Sequence, residues 1–279
     1  MNIPTGKLHH MTNGIVKSDT PIRIVLIGSG NLATQTALAL SEAGHPPVQV
    51  WSRRRANAEQ LATMLPQATA TDNMGELLCD ADLYLLAVSD HALASVAASM
   101  PVTQGVWAHT AGSIPLSVLV PHHAAAGVFY PLQTFSRERR VDYMSIPIYI
   151  EGSNETVTTL LETVGQSISR EVHRTTSEQR LYLHLAAVWA CNFTNHLYAL
   201  SEQLLQEHGL PRQALAPLIA ETAAKVQTMS AQEAQTGPAK RNDTNVLQKH
   251  LDLLADHPDR LELYRALSDS IIRMYHQED

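Results

Sequence analysis

Apolar and polar positions along this chain follow two regimes. Up to residue 175, short β-branched apolar runs alternate with stretches of helical spacing. Residues 22–27, 48–51, 83–88, 105–108, 125–129 and 146–150 read as strands. Residues 31–43, 56–65 and 91–99 read as helices, with a short helical piece at 76–78. The run Leu83-Tyr84-Leu85-Leu86-Ala87-Val88 is apolar on both faces, as a strand buried between two helical layers requires. Gly44-His45-Pro46-Pro47 reads as a turn, Pro66 ends the second helix, and Ser89-Asp90 caps the third. Strand and helix alternate throughout, which predicts a doubly wound α/β domain over residues 21–175.

The second regime is helical. Thr176 followed by Gln179 is a capping box that opens one stretch running to His208 and closed by Gly209. Its length is on the order of 45–50 Å at 1.5 Å per residue. Leu181, Leu185, Val188, Trp189, Leu197, Leu200 and Leu204 predict a wide buried face on it. A helix this long packs against more than a small domain of its own, so a second copy of the chain is the expected partner. Pro211 opens the next helix and Pro217 is expected to bend it. Thr236-Gly237-Pro238 breaks the chain, and residues 245–255 and 260–275 form the last two helices on either side of His257-Pro258. Residues 176–279 are thus expected to be an all-α substrate and dimerisation domain. Residues 1–20 are polar and without period, which predicts a mobile leader in which Met11 offers an alternative start.

Composition narrows the function classes. With 44 % hydrophobic and 17 % charged residues in 279, the chain is globular and long enough for two domains. A net charge of -7 disfavours nucleic acid or an anionic membrane surface as partner. No apolar run approaches the roughly 20 residues of a membrane span, and no charged-then-apolar signal precedes the first strand. Cys79 and Cys191 lie far apart in no metal or redox spacing, which suits reduced thiols in a cytoplasm. The pairs His9-His10 and His122-His123 form no metal-ligand pattern and read as solvated loop residues, so no metal is expected.

The chemistry begins at Gly28-Ser29-Gly30-Asn31-Leu32-Ala33, placed directly between the first strand and the first helix. This is the dinucleotide-binding fingerprint of a Rossmann domain. Gly28 permits the tight turn, Gly30 lets a pyrophosphate approach the backbone, and Ala33 lets the helix pack close to the strand. The free N–H groups of that helix start then face the phosphates. NAD sites carry an Asp or Glu at the end of the second strand, on the ribose 2′-hydroxyl. Here Ser52 stands about 24 residues after Gly28, and Arg53-Arg54-Arg55 follow. A carboxylate would repel a 2′-phosphate, whereas guanidinium offers it a planar fork of donors. The expected cofactor is therefore NADP(H), held by Gly28, Ser29, Gly30, Asn31, Leu32, Ser52, Arg53 and Arg54, with Ala87, Val88 and Ser89 along the ribose.

Ligands of open parallel sheets lie at the carboxyl ends of the strands. Ala108-His109-Thr110-Ala111-Gly112-Ser113 emerges there beside the nicotinamide, and Phe129-Tyr130-Pro131-Leu132-Gln133-Thr134-Phe135-Ser136 walls the substrate side. His109 is the first candidate for a proton donor, its ordinary pKa lying near 6.5. The alternative is a histidine that only hydrogen-bonds the turn containing Thr110 and Gly112. Ser113 is either a ligand of cofactor or substrate, or the cap of the segment that follows. On the long helix His184, Asn192, Asn195 and His196 form a polar stripe, either a site or a solvated edge. Lys240, Arg241 and Asp243, after the Gly237-Pro238 break, either close over an anionic substrate or form an ordinary loop.

These motifs in this order, with Asn192-Phe193-Thr194-Asn195-His196 and Gly237-Pro238-Ala239-Lys240-Arg241-Asn242-Asp243, resemble the bacterial Rossmann-like proteins with a DUF2520 C-terminal domain. The resemblance implies an NADP oxidoreductase whose N-terminal domain is related to F420-dependent NADP oxidoreductases. More distantly the layout is similar to pyrroline-5-carboxylate reductase, ketopantoate reductase and the β-hydroxyacid dehydrogenases, in which a helical domain follows the Rossmann domain and often dimerises. The last two carry a catalytic Lys on the long helix four residues before an Asn. If Asn192 is that Asn, the Lys position holds Val188, whose aliphatic side chain donates no proton. His109 or His184 then takes that role, or the reaction resembles imine reduction, or the chain is a non-catalytic NADP(H) sensor. The reading carried forward is hydride transfer to or from a small carbonyl or imine compound, with Asn192 orienting the substrate and Ser113, Gln133, His196, Lys240, Arg241 and Asp243 on the substrate side.

Overall fold

The structure is a computed structural model and describes residues 21–276. The expected leader, 1–20, lies outside the described residues. Strands β1 (Ile24–Ile27), β2 (Pro47–Trp51), β3 (Thr69–Thr71), β4 (Leu83–Leu86), β5 (Val106–His109), β6 (Ala126–Pro131), β7 (Ile148–Gly152) and β8 (Val172–Arg174) form one sheet of order β3-β2-β1-β4-β5-β6-β7-β8. Neighbours run parallel except β6 and β7, which pair antiparallel from Gly127↔Gly152 to Pro131↔Ile148. The chain therefore reverses its direction of winding between β1 and β4, and the loops after those strands part to leave a crevice.

Helices α1 (Asn31–Glu42), α2 (Arg55–Ala62) and α4 (Glu155–Ile168) cover one face of the sheet, and α3 (Asp90–Ser99) covers the other. Successive strand residues face opposite layers, which explains why the central strands are apolar throughout. Ile24, Leu26, Leu83 and Leu85 pack with Ala33, Ala37 and Leu161. Val25, Ile27, Tyr84 and Leu86 pack with Leu93 and Ala97 on the other side. The small side chains of α1 let its first turn sit close behind β1.

Several expectations are corrected here. The strand 83–88 ends at Leu86, so Ala87 and Val88 belong to the loop. The helical piece 76–78 is a single 3₁₀ turn, Met74–Glu76. Ser89 stands at the N-cap of α3 without a side-chain capping bond, and Asp90 turns elsewhere. Helix α4 and the three-residue strands β3 and β8 have no counterpart in the alternation read from the sequence.

By its contacts the chain divides into two compact units, 1–196 and 197–279. The first includes α5 (Ser177–Ala187), whose capping box is present as expected: the Gln179 amide donates to Thr176 Oγ1 and the Thr176 amide to Gln179 Oε1, both at 3.2 Å. The long helix is continuous but not uniform. Residues Val188–Phe193 form a π-helical segment between α5 and α6 (Thr194–Glu207). The segment changes the helical phase between His184 and His196, so the polar stripe read there is not a regular α-helical one. The wide face expected to be buried is open in the single chain: Leu185 is 51 % and Trp189 60 % exposed, with Leu181, Tyr182 and Phe193 beside them. Gly209, at φ +68, follows the end of α6.

In the second unit α7 (Ala216–Thr228) has Pro217 in its first turn, so this proline starts the helix instead of bending it. The short α8 (Ala231–Ala234), then α9 (Thr244–Leu253) and α10 (Pro258–His276), complete it.

Candidate active site

The carboxyl edge of the sheet carries a cleft of about 290 Å³ lined by Gly28, Ser29, Gly30, Ser52, Arg53 and the Ala87–Ser89 loop. Larger hollows lie along α1 and at the opposite edge of the sheet, away from these strand ends. Gly28 has φ +127, and a Cβ there would sit 2.2 Å from the Ala87 carbonyl oxygen, so no other residue fits this turn. Gly30 has open space where its Cβ would be, and α1 starts from it without a side-chain cap. The first N–H groups of α1, at Asn31 and Leu32, are thereby left for a ligand.

At the end of β2, Ser52 and Ser29 share a hydrogen bond between their hydroxyls at 2.8 Å, both side chains buried. Arg55 turns to Glu59 one helical turn on, whereas Arg53 and Arg54 are exposed. Among the described residues no carboxylate lines the cleft. Neutral hydroxyls, two free guanidinium groups and uncapped helix N–H groups make a donor set suited to a dinucleotide with an extra phosphate.

His109 ends β5 fully buried. The Ala111 amide donates to its Nδ1 at 3.2 Å, so the neutral ring carries its proton on Nε2, which has no partner. Burial, and then the nearby Arg180 charge, holds its pKa down to about 4. An imidazole that stays uncharged at neutral pH and has no exposed atom is not placed to donate a proton to a ligand. The Ala111 contact ties His109 to the turn after β5.

That turn is tied down from outside by α5. Arg180, wholly buried, pairs through Nη1 with the Glu151 carboxylate and donates through Nη2 to the Ile114 carbonyl at 2.5 Å. Ser177 Oγ donates to Glu151 at 2.8 Å and accepts from the Leu116 amide at 3.0 Å. The same helix then delivers His184 to the strand ends. Its Nδ1 lies 3.0 Å from the Tyr130 hydroxyl on β6. Gly112 makes the meeting feasible, since a Cβ there would fall 2.6 Å from His184 Nδ1 and 2.8 Å from Tyr130 Cζ.

Tyr130 is buried to 8 % exposure and its phenol is pushed above its ordinary pKa, first by desolvation and then by the Asp90 charge. Asp90 itself accepts from Ser113 Oγ at 2.5 Å, and the turn that follows is capped by Pro115 and not by Ser113. Tyr130–His184 and Asp90–Ser113 are thus two hydrogen-bonded pairs. The sequence had offered His184 and Ser113 as candidates. Tyr130 was only part of a wall and Asp90 only a helix cap, and no local pattern marks a contact between residues 54 positions apart.

Asn192, within the π segment, and His196, just after it, are exposed, and Gln133 Oε1 accepts from the adjacent Thr134 amide at 2.8 Å. In the second unit Lys240 donates to the Gln235 carbonyl at 2.8 Å and lies over the Tyr275 ring, and Asp243 caps α9. Arg241 is exposed. Among the described residues no three His, Cys, Asp or Glu come together as metal ligands, and no helix is long and apolar enough to cross a membrane.

Comparison with known proteins adds to this geometry. The family model described as NADP oxidoreductase coenzyme F420-dependent matches residues 23–110, and the DUF2520 model, a domain of unknown function, matches residues 146–271. The crystal structure of a putative NADP oxidoreductase from Bacteroides fragilis is 44 % identical, with TM-score 0.86, over 91 % of this chain and 98 % of that one. A reductive aminase from Aspergillus terreus, solved with NADPH and ethyl levulinate, shares the fold at 15 % identity and TM-score 0.72, over 93 % of this chain and 97 % of that one. A 1-pyrroline-5-carboxylate reductase from Streptococcus pyogenes does so at 12 % identity and TM-score 0.61, over 90 % and 98 %. No curated protein matches.

Proposed function

This chain belongs to the DUF2520 family of NADP oxidoreductases, and from that premise we propose that it reduces a small carbonyl or imine compound with NADPH. The observation that carries the reading is the Tyr130–His184 hydrogen bond, near the carboxyl end of β6. The fold neighbours that reduce imines make that substrate class a natural one to test first.

Gly28, Gly30, Asn31 and Leu32 hold the pyrophosphate, Ser52, Arg53 and Arg54 the 2′-phosphate, and Ala87, Val88 and Ser89 the ribose. The cofactor supplies the hydride. This chain supplies the proton. Tyr130, kept as a neutral phenol, donates from its hydroxyl to the substrate oxygen or nitrogen as negative charge builds there. His184, half-buried and open to solvent, returns a proton to that oxygen. Ser113, oriented by Asp90, hydrogen-bonds the substrate. This relay supplies the proton that the aliphatic Val188 cannot, which favours catalysis over a sensor role.

The exposed apolar face of α5 and the π segment is assigned to a second copy of the chain, and the free thiols of Cys79 and Cys191 suit a cytoplasmic setting. The test is NADPH oxidation followed at 340 nm with cyclic imines, aldehydes and oxoacids as substrates. Turnover that falls at least a hundredfold in Tyr130→Phe supports the reading, and a full panel without turnover defeats it in favour of the sensor.

A further inference from the structure

The segment after β6 folds back over the start of α1, and side chains of α1 hold its backbone. Asn31 Nδ2 donates to the Phe135 carbonyl at 3.0 Å, and Gln35 Nε2 to the Ser136 carbonyl at 2.9 Å. The buried Thr36 hydroxyl meets the Tyr143 hydroxyl at 2.7 Å. So anchored, the segment delivers one cation to the glycine turn. Arg137 Nη2 donates to the Ser29 carbonyl at 2.7 Å, and Nη1 lies 3.4 Å from Gln60 Oε1 on α2.

Both acceptors are neutral, and among the described residues no carboxylate pairs with Arg137. Its guanidinium lines a cavity of about 190 Å³ with Ser29, Thr34, Asn57 and Gln60. Ser29 also lines the larger cleft beside Ser52 and Arg53, and neither hollow has an acidic wall. A fixed, unneutralised guanidinium next to the Ser29–Ser52 hydroxyl pair is what a phosphate at the end of β2 calls for.

We propose that Arg137 is a specificity-determining residue for the cofactor, a guanidinium brought by the post-β6 segment to the 2′-phosphate beside Ser29, Ser52 and Arg53. This rests on the NADP(H) reading above. It differs from the Arg53-Arg54 site in coming from a distant segment of the chain.

The test is calorimetric binding of NADPH, NADH, 2′,5′-ADP and 5′-AMP to wild type and to Arg137→Ala, with a thermal melt of each. Arg137→Ala is expected to weaken NADPH and 2′,5′-ADP by roughly tenfold or more while leaving NADH and 5′-AMP unchanged, as loss of a charge-assisted hydrogen bond predicts. Arg137→Lys is expected to recover part of the loss. Equal weakening of all four ligands overturns the proposal, since Arg137 would then only support the Ser29 turn. An unchanged NADPH-to-NADH ratio overturns it too. Wild-type protein that binds neither dinucleotide overturns the cofactor reading itself.

Discussion

Tyr130 and His184 meet at 3.0 Å, one from the end of a sheet strand and the other from the helix that leaves the sheet. Their contact depends on Gly112, which has no side chain to come between them. Gly112→Ala is therefore expected to separate the pair and lower turnover about as much as His184→Ala, with NADPH affinity preserved. Kinetics beside calorimetry check this. A Gly112→Ala protein with full turnover would remove the pair from the mechanism.

His109 makes a prediction about stability instead of catalysis. Its pKa in the fold is about 4, below the 6.5 of an unfolded histidine. Between those values the unfolded chain binds a proton that the folded chain does not, so acid favours unfolding. Stability is expected to rise with pH through this window and level off above about 6.5, the total being roughly 3 kcal/mol. His109→Gln is expected to flatten that part of the profile. Urea unfolding midpoints at pH 4.5 and 7 measure it.

Ser52 stands where NAD-binding proteins place a carboxylate. Ser52→Asp puts a negative charge against Ser29 and the guanidinium groups of Arg53 and Arg54. The NADPH-to-NADH affinity ratio is expected to fall by at least about tenfold. A ratio that stays put would show that the 2′-phosphate lies elsewhere.

Leu181, Leu185 and Trp189 present an apolar surface that a lone chain leaves in water. Leu185→Glu is expected to convert a dimer to a monomer with little change in melting temperature. Sedimentation velocity reads the outcome, and a monomeric wild type would refute the assignment.

What the sequence makes legible here follows from locality. Strand β1, the Gly28 turn and α1 are contiguous, and each carries its own signal, so the dinucleotide edge was readable to within a residue or two. The three-residue edge strands β3 and β8 have no apolar run to announce them. Helix α4 is rich in Thr and Val, which read as strand formers until Asn154 is seen capping it through the Val157 amide. The π segment shifts the helical phase inside an apolar stretch, where periodicity carries little contrast. The two polar pairs are harder still. Asp90 with Ser113, and Tyr130 with His184, come from segments far apart in the chain, and only the tertiary fold brings each pair together. His109 looked like the acid because its position at a strand end was visible, whereas its burial was not.

The account turns on one cofactor. Calorimetric titration of the purified chain with NADPH and NADH, with Gly28→Ala alongside, tests it most directly. Micromolar binding of NADPH, at least tenfold tighter than NADH and abolished in Gly28→Ala, is the expected result. Absence of NADPH binding to the wild type, or equal binding to Gly28→Ala, would contradict it.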